Sequence, residues 1–298
     1  MPMAVRSLLA LVLAVGCGDG SPSQGEPDAR AGGGDDAGGD GSIGELVVLS
    51  GGGYGHLWFP PVVFGSIWGD NPPAWHSEVA HDGACRVLTY QPGFCTDCAG
   101  VCLAPDECRP WPDYLAAGAI TVSGIAGDDL VLEPEFDQRY QTWGGLPDPL
   151  FADDAVITIE AAGDQVDGFG GSVPAVARLT IPSLDETGQV VLADGADIEL
   201  GWPAPVAGSR VHVFAHSGGA LHGTPPEVIL ECDGEDTGSL VITADILEAL
   251  PVIGSGCAKM HDCAKLGVMR YARATAATDR GDVLLTVGSG ANYELSSE

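Results

Sequence analysis

Basic residues are scarce in this sequence. Its 298 residues include 12 Lys and Arg against 42 Asp and Glu, which gives a formal net charge of −30. A surface this acidic repels phosphate backbones, so the composition excludes nucleic acid as a partner. The same repulsion disfavours anionic lipid faces unless the chain is tethered to them. The composition therefore predicts contact with a membrane only through an anchor.

The sequence motifs of several enzyme classes are also missing. No G-x-S-x-G or P-loop pattern occurs, and the WHSEVAH stretch that holds His76 and His81 is not H-E-x-x-H. Acidic pairs such as Asp128 and Asp129 are expected by chance among 42 acids, and most mark turns rather than glycosidase carboxylates. We therefore expect no enzymatic activity, no catalytic residue and no cofactor.

Long apolar runs are absent too. A membrane-spanning helix needs about 20 apolar residues, whereas the apolar run at residues 8–15 is much shorter and follows Arg6. That length fits the ~7–15 residues of a secretory signal. The run ends in Ala-Val-Gly-Cys, where the cysteine is Cys17.

These four residues resemble the lipobox of bacterial lipoproteins, with Ala14 where leucine is usual. The resemblance implies that residues 1–16 are a signal peptide cut before Cys17, which is then lipidated. Two or more acyl chains anchor a protein stably. We therefore expect a membrane-anchored protein of the bacterial envelope, at the outer membrane or cell surface. An ordinary signal with a chance cysteine is the alternative.

The segment behind Cys17 is rich in Gly, Asp, Ser and Pro and contains no aromatic residue. Such a composition buries too little surface to offset its ordering entropy. We expect residues 17–45 to form a flexible acidic tether, and residues 46–298 to form the folded region.

The folded region is predicted to be all-β. Short Val-, Ile- and Thr-rich runs alternate with turn signals, a pattern typical of a β-sandwich of the immunoglobulin-like or jelly-roll type. A Cys-rich loop region covers residues 85–108, and one helix is predicted over residues 243–250 with Thr243 as N-cap. Residues 183–196 are turn-rich and mark a candidate sub-domain boundary. The expected strands lie at residues 46–50, 61–68, 85–90, 119–124, 129–134, 155–161, 176–182, 189–193, 197–202, 209–217, 227–232, 239–243, 267–274, 282–288 and 291–295.

The segment from about residue 195 to the end contains strands enough for an immunoglobulin-like sandwich of its own. Its Cys232–Ser239 stretch, CDGEDTGS, has the pattern C-x-x-x-D-x-G-S before a strand and a short helix. It resembles the β-sandwich portion of secreted bacterial lipoproteins that carry a similar turn. The resemblance implies no particular activity.

Eight cysteines remain once Cys17 is set aside, and in an exported chain an even number predicts a disulfide framework. Five lie in the first part of the chain and three in the last. Because five and three are both odd, full pairing requires at least one bridge between the two groups. Local pairs are predicted between Cys257 and Cys263 and within residues 95–108. The eight are Cys85, Cys95, Cys98, Cys102, Cys108, Cys232, Cys257 and Cys263.

Two metal sites are alternatives to these assignments. Cys95 and Cys98 have the C-x₂-C spacing of zinc ligands, and Cys102 and Cys108 would complete four thiolates. CDGEDTGS begins like an EF-hand loop but has Ala244 where the bidentate Glu is needed, which leaves a looser calcium turn at Asp233 and Asp236. A plain hairpin turn is the simpler interpretation of this stretch.

His212 and His216 lie on one face of a predicted strand. Their Cα atoms would be ~13 Å apart, which is too far for both side chains to bind one metal ion.

Two classes of function remain. The first is a non-enzymatic binding or structural module whose partner is an envelope protein. The second is a carbohydrate-binding or carbohydrate-active surface protein, because exposed aromatic rings on a β-sandwich can stack on sugars. The alternative role for these rings is to cover a small core beside the Cys-rich segment. The candidate ligand-binding residues are Trp58, Trp68, Trp75 and Trp111.

Overall fold

The structure is a computed structural model. It describes residues 42–54, 57–59, 61–70, 76–90, 100–104, 107–110, 112–142, 144–185, 187–203, 205–216, 228–250 and 264–297. Within these residues most of the regular structure is β-strand, with two sheets packed face to face. The prediction of an all-β, sandwich-like fold is therefore confirmed.

The strands follow one another along the chain with two four-residue helices, α1 (Pro182–Asp185) and α2 (Ala244–Leu247). The strands are β1 (Ser42–Leu49), β2 (Gly52–Tyr54), β3 (Leu57–Phe59), β4 (Val62–Ile67), β5 (His76–Asp82), β6 (Cys85–Tyr90), β7 (Gly100–Ala104), β8 (Glu107–Pro110), β9 (Ile120–Ser123), β10 (Leu130–Leu132), β11 (Tyr140–Gln141), β12 (Val156–Ala161), β13 (Phe169–Pro174), β14 (Gln189–Leu192), β15 (Ile198–Gly201), β16 (Arg210–His216), β17 (Val228–Glu235), β18 (Ser239–Ile242), β19 (Lys265–Ala277) and β20 (Asp282–Ser297).

The large sheet joins the beginning and the end of the folded region. Its strand order is β11-β4-β1-β20-β19-β16-β17-β6-β5, with β14 also pairing with β20. The first strand, β1, pairs with β20 in parallel and with β4 in antiparallel orientation. The last four residues of β1, Leu46 to Leu49, are all apolar because both faces of the strand are buried there.

A smaller sheet covers one half of the large sheet's inner face. Its strand order is β10-β9-β12-β13, and β13 lies against β19 and β20. Side chains alternate along these strands, as the burial of β9 and β12 shows. The core between the sheets includes Leu46, Val48, Ile120, Val122, Ile157, Ile159, Val173, Val283, Leu285 and Val287.

A second core lies under the other half of the same face. The two-stranded sheet of β15 and β18, together with both helices, covers it. This core includes Val87, Leu179, Ile181, Leu200, Trp202, Val211, Val213, Leu230, Ile242, Ile246, Leu266 and Val268. No helix in the described part of the chain is long and apolar enough to cross a membrane.

The boundaries of several strands differ from the predictions. Strand β1 begins at Ser42, inside the segment expected to be tether, because Ser42 and Ile43 are already buried. The two strands expected at residues 282–288 and 291–295 form the single strand β20. It pairs with β1 over its first half and with β14 over its second.

Residues 176–182 contain no strand, although one was predicted there. Val176 contributes to the core under the smaller sheet, whereas Leu179 and Ile181 contribute to the second core. The segment therefore connects the two cores. Its apolar residues fill both cores without pairing with a neighbouring strand, so apolar content alone was misleading.

The chain does not divide into two sandwiches near residues 183–196. Strands on both sides of that segment share the large sheet, because β1 pairs with β20 and β6 pairs with β17. The part after residue 195 is therefore not an independent immunoglobulin-like unit.

Helix α2 lies within the predicted helix, but Thr243 at its N-cap makes no side-chain cap bond. Asp197 Oδ1 accepts from the Ala244 N–H instead, at 2.8 Å.

Candidate functional site

A disulfide bond links Cys85 to Cys232. The two residues lie opposite each other in the register of β6 and β17, with Cα atoms 3.9 Å apart. Both are buried. The bond joins the cysteine group of the first part to that of the last, which confirms the inference drawn from the odd numbers in the two groups.

The remaining cysteines are only partly described. Cys102 lies opposite Cys108 in the register of β7 and β8, a backbone arrangement of the same kind. Cys95, Cys98, Cys257 and Cys263 lie outside the described residues, as does Cys17. Their pairing, the zinc alternative and the lipidation of Cys17 therefore remain predictions.

Asp236 is the centre of a buried polar cluster on the inner face of the large sheet. Arg270 Nε lies 2.8 Å from Asp236 Oδ2, and both side chains are almost fully buried, at 4% and 0% exposed. Trp202 Nε1 donates to Oδ1 at 2.6 Å, while the Val206 N–H and Ser209 Oγ donate to Oδ2 at 2.8 and 3.0 Å. This carboxylate therefore has one charged partner and three uncharged donors.

The cluster also connects the two cores. Arg270 donates from its Nη1 to the carbonyl of Ala177 at 3.3 Å, within the segment that connects them. Trp202 belongs to the second core. Burial acts to raise the pKa of Asp236, but the hydrogen bonds from Val206, Trp202 and Ser209 and the charge of Arg270 outweigh it and lower the pKa. The carboxylate is therefore held in its charged form.

Asp233 is the centre of a second cluster, on the opposite face of the sheet. Arg210 Nε donates to Asp233 Oδ1 at 2.7 Å, and the Tyr271 hydroxyl donates to Oδ2 at 2.7 Å. The buried ring of His212 places its Nδ1 3.6 Å from Oδ2. Because Tyr271 and Arg270 are adjacent in β19, their side chains point to opposite faces, and so do the two carboxylates they contact.

The electrostatics of this second cluster hold Asp233 and Tyr271 each in one protonation state. Burial acts to raise the pKa of Asp233, but His212, Tyr271 and Arg210 outweigh it and lower the pKa. Burial and the neighbouring carboxylate raise the pKa of Tyr271. The carboxylate therefore stays charged and the phenol stays protonated. The cluster cross-links β16, β17 and β19.

The calcium turn considered at Asp233 and Asp236 is wrong. The two carboxylates lie on opposite faces of the sheet, and each forms an ion pair with an arginine. His212 and His216 do lie on a strand, β16, as expected, and both are buried. Among the described residues, no three His, Cys, Asp or Glu side chains lie close enough together to hold a metal ion.

Two further ion pairs extend the outer face of the large sheet. Arg86 lies 3.0 Å from Glu231 across β6 and β17. Arg273 lies 3.2 Å from Glu45, and Thr286 donates to the same carboxylate oxygen at 2.5 Å. Neither pair was recognised from the sequence, because its members are 145 and 228 residues apart. The acids and arginines within these otherwise apolar strands were the sequence pattern that could have indicated the two ion pairs.

We expect acid to destabilise the fold through Asp233 and Asp236. The folded state lowers the pKa of both carboxylates below the ordinary value of 3.8. Their stabilising contribution is complete above that value and is lost as the pH falls through the folded-state pKa. Urea unfolding between pH 7 and pH 2 measures this loss. Asp233→Asn should flatten the decline and Asp128→Asn, at an exposed position, should not; equal declines in both variants would contradict the assignment.

Of the four tryptophans proposed for sugar binding, Trp68 has a described side chain, and that side chain is buried. Trp68 is 7% exposed, and its ring lies against that of Tyr114 with centroids 4.0 Å apart. This ring is therefore part of the packing and offers no face to a sugar. Trp75 and Trp111 lie outside the described residues, as does the side chain of Trp58, so sugar binding by those three remains a prediction.

The outer face of the smaller sheet is open to solvent. It carries small side chains, among them Thr158 and Ser172, whose hydroxyl oxygens lie 3.0 Å apart. A shallow 530 Å³ depression at one end is lined by residues that include Thr121, Glu160 and Phe169. Phe169 is buried, so the depression presents no exposed aromatic ring.

Phe136 is the most exposed large apolar side chain in the described part of the chain. It is 92% exposed, whereas the other large apolar side chains that are exposed are valines between 46% (Val241) and 57% (Val156). It lies in the turn that connects β10 to β11. Sequence reasoning treated this stretch as a turn after a strand and missed the phenylalanine, although an aromatic residue between two acids was the available signal.

No family model matches the chain, and no curated protein does. One solved structure is described as a Ca²⁺-stabilised adhesin that helps an Antarctic bacterium reach out and bind ice. It is 10% identical, with a TM-score of 0.21, over 87% of this chain and 50% of that one.

A second structure is a tetra-tandem repeat in the extending region of a large adhesion protein. It is 14% identical, with a TM-score of 0.16, over 77% of this chain and 56% of that one. The chain thus spans about half the length of each structure. It has weak structural similarity to two adhesion proteins.

Proposed function

We propose that this protein is an exported, lipid-anchored module of a bacterial envelope that binds a protein partner or has a structural role, without catalysing a reaction. The observation that carries the proposal is the disulfide between Cys85 and Cys232. Disulfides form and persist in oxidising compartments and are rare in the cytosol. A buried bridge between central strands therefore supports an exported protein.

The buried charges support a non-catalytic role. Asp233, Asp236 and Glu231 each contact an arginine. Catalytic acids and bases usually have a pKa near the working pH and lie beside a cleft. Here the contacts lower the pKa of Asp233 and Asp236, whereas burial and the charge of Asp233 raise that of Tyr271. These groups are suited to holding strands together.

Cys17→Ala tests the anchor. If Cys17 carries the lipid, the variant should move from the membrane fraction to the soluble fraction, because the acyl chains that hold the protein are lost. Fractionation of the producing cells and metabolic labelling with a radioactive fatty acid measure the two consequences. We expect at least a tenfold fall in both the membrane-bound share and the label.

Ser21→Ala is the matched control, since it changes the acidic segment but leaves the four lipobox residues intact. It should fractionate and label like the unchanged protein. A Cys17→Ala variant that still sediments with membranes and still incorporates fatty acid would overturn the lipid anchor.

A further inference from the structure

The turn from Glu135 to Arg139 has a defined backbone conformation. The Glu135 N–H donates to the carbonyl of Arg139 at 2.8 Å, and the Gln138 N–H donates to that of Glu135 at 2.9 Å. Asp137 accepts from the Arg139 N–H at 3.2 Å and from its Nε at 2.6 Å. These four bonds close the turn on itself, with Phe136 outside.

Gln138 has a φ of 70°, a left-handed conformation that is uncommon for residues other than glycine. Such conformations persist only where the surrounding structure enforces them, and they cluster at functional sites. Here the conformation accompanies a turn that leaves an aromatic ring 92% exposed. An exposed aromatic side chain on a pre-formed turn is the kind of group that anchors protein interfaces.

The charge around Phe136 selects the kind of partner. Glu133 is exposed and Glu135 and Asp137 are half-buried, so acids flank the ring in sequence. Arg139, the nearest basic residue in sequence, is paired with Asp137, and its guanidinium lies 5.5 Å from the centre of the Tyr114 ring. A second copy of this chain, with a net charge of −30, and an anionic lipid surface would both be repelled.

We propose that Phe136 is the anchor of a docking site for a protein that has an apolar pocket rimmed by Lys and Arg. The ring enters the pocket, and the exposed Glu133 faces the basic rim. The inference rests on the proposed binding role and deepens it by naming the chemistry of the partner.

Photo-crosslinking in the producing cells tests the docking site with the full chain. p-Benzoylphenylalanine at position 136 retains an aromatic ring, and the same label at position 241 replaces another exposed apolar residue, on β18. We expect at least ten times more adduct from position 136. Mass spectrometry should place the adduct on a peptide of another protein that carries Lys or Arg beside apolar residues, and the yield should fall as salt rises.

Purified variants then measure the contribution of the ring to binding of the crosslinked protein. Phe136→Ser should weaken binding about 10- to 100-fold, since the buried area of a phenylalanine is lost. Phe136→Trp should bind within about threefold of the unchanged protein. Glu133→Gln should slow association and reduce its dependence on salt.

The proposal is overturned if the adduct is a second copy of the chain, a lipid or a glycan. It is also overturned if position 136 gives no more adduct than position 241, or if Phe136→Ser binds as well as the unchanged protein. These results are independent of the Cys17 fractionation. If the protein is lipid-anchored but nothing docks at Phe136, the docking proposal fails and the proposed envelope role is not contradicted.

Discussion

Arg270→Met is expected to lower the free energy of unfolding by about 3–5 kcal/mol, because it leaves Asp236 as a buried charge without its partner. Asp236 is fully buried and Arg270 is 4% exposed, so solvent cannot replace the lost guanidinium. The variant also loses the bond to the carbonyl of Ala177, in the segment that connects the two cores. Urea unfolding followed by tryptophan fluorescence measures the change.

A double variant distinguishes the destabilisation caused by an unpaired buried charge from the destabilisation caused by lost packing. Arg270→Met combined with Asp236→Asn removes both charges, while the asparagine oxygen can still accept a hydrogen bond from Trp202. We expect the double variant to be more stable than Arg270→Met alone, since no charge is left buried and unpaired.

Arg280→Met is the matched control. Arg280 is exposed, and the same substitution there should change stability by less than about 0.5 kcal/mol. If Arg270→Met were no more destabilising than Arg280→Met, the Asp236 cluster would not have the stabilising role inferred from its burial.

Removal of the Cys85–Cys232 bridge by a double alanine substitution should cost about 2–5 kcal/mol. The bonded residues are 147 apart in sequence, so the bridge restricts a large loop of the unfolded chain. It also joins β6 to β17, next to the ion pair of Arg86 and Glu231. Urea unfolding without reductant measures the difference.

The reduced unchanged protein is the control for the lost volume. When the unchanged protein and the double alanine variant are both measured in reductant, every bridge is open in both samples, and the difference between them reports the smaller side chains alone. Peptide mapping without reductant should recover Cys85 joined to Cys232. An alanine variant that unfolds at the same urea concentration as the oxidised protein would show that the bridge contributes nothing to stability.

Local sequence patterns predicted most individual strands. In β9 and β12, apolar residues alternate with polar ones, and the turns beside them carry Gly and Asp. Alternation works because successive side chains of a strand point to opposite faces, which is a property of neighbouring residues. It failed at residues 176–182, where the same apolar composition fills two cores without a pairing partner.

The pairing of distant strands was beyond local patterns. Nothing near β1 indicates that it pairs in parallel with β20, more than 200 residues away, and this pairing is what prevents a division near residues 183–196. The odd number of cysteines in each group did predict a covalent link between the two parts. It succeeded because parity is a property of the whole chain and requires no knowledge of geometry.

The sequence by itself determined the class of fold, the acidic composition and the covalent link between the two parts, because composition, alternation and parity depend on residue type and order. Only the tertiary structure decided which charged groups are buried together and which aromatic rings remain exposed. Trp68 is packed against Tyr114, and Phe136 projects from a closed turn. Exposure depends on what packs against a side chain, and those neighbours come from distant parts of the chain.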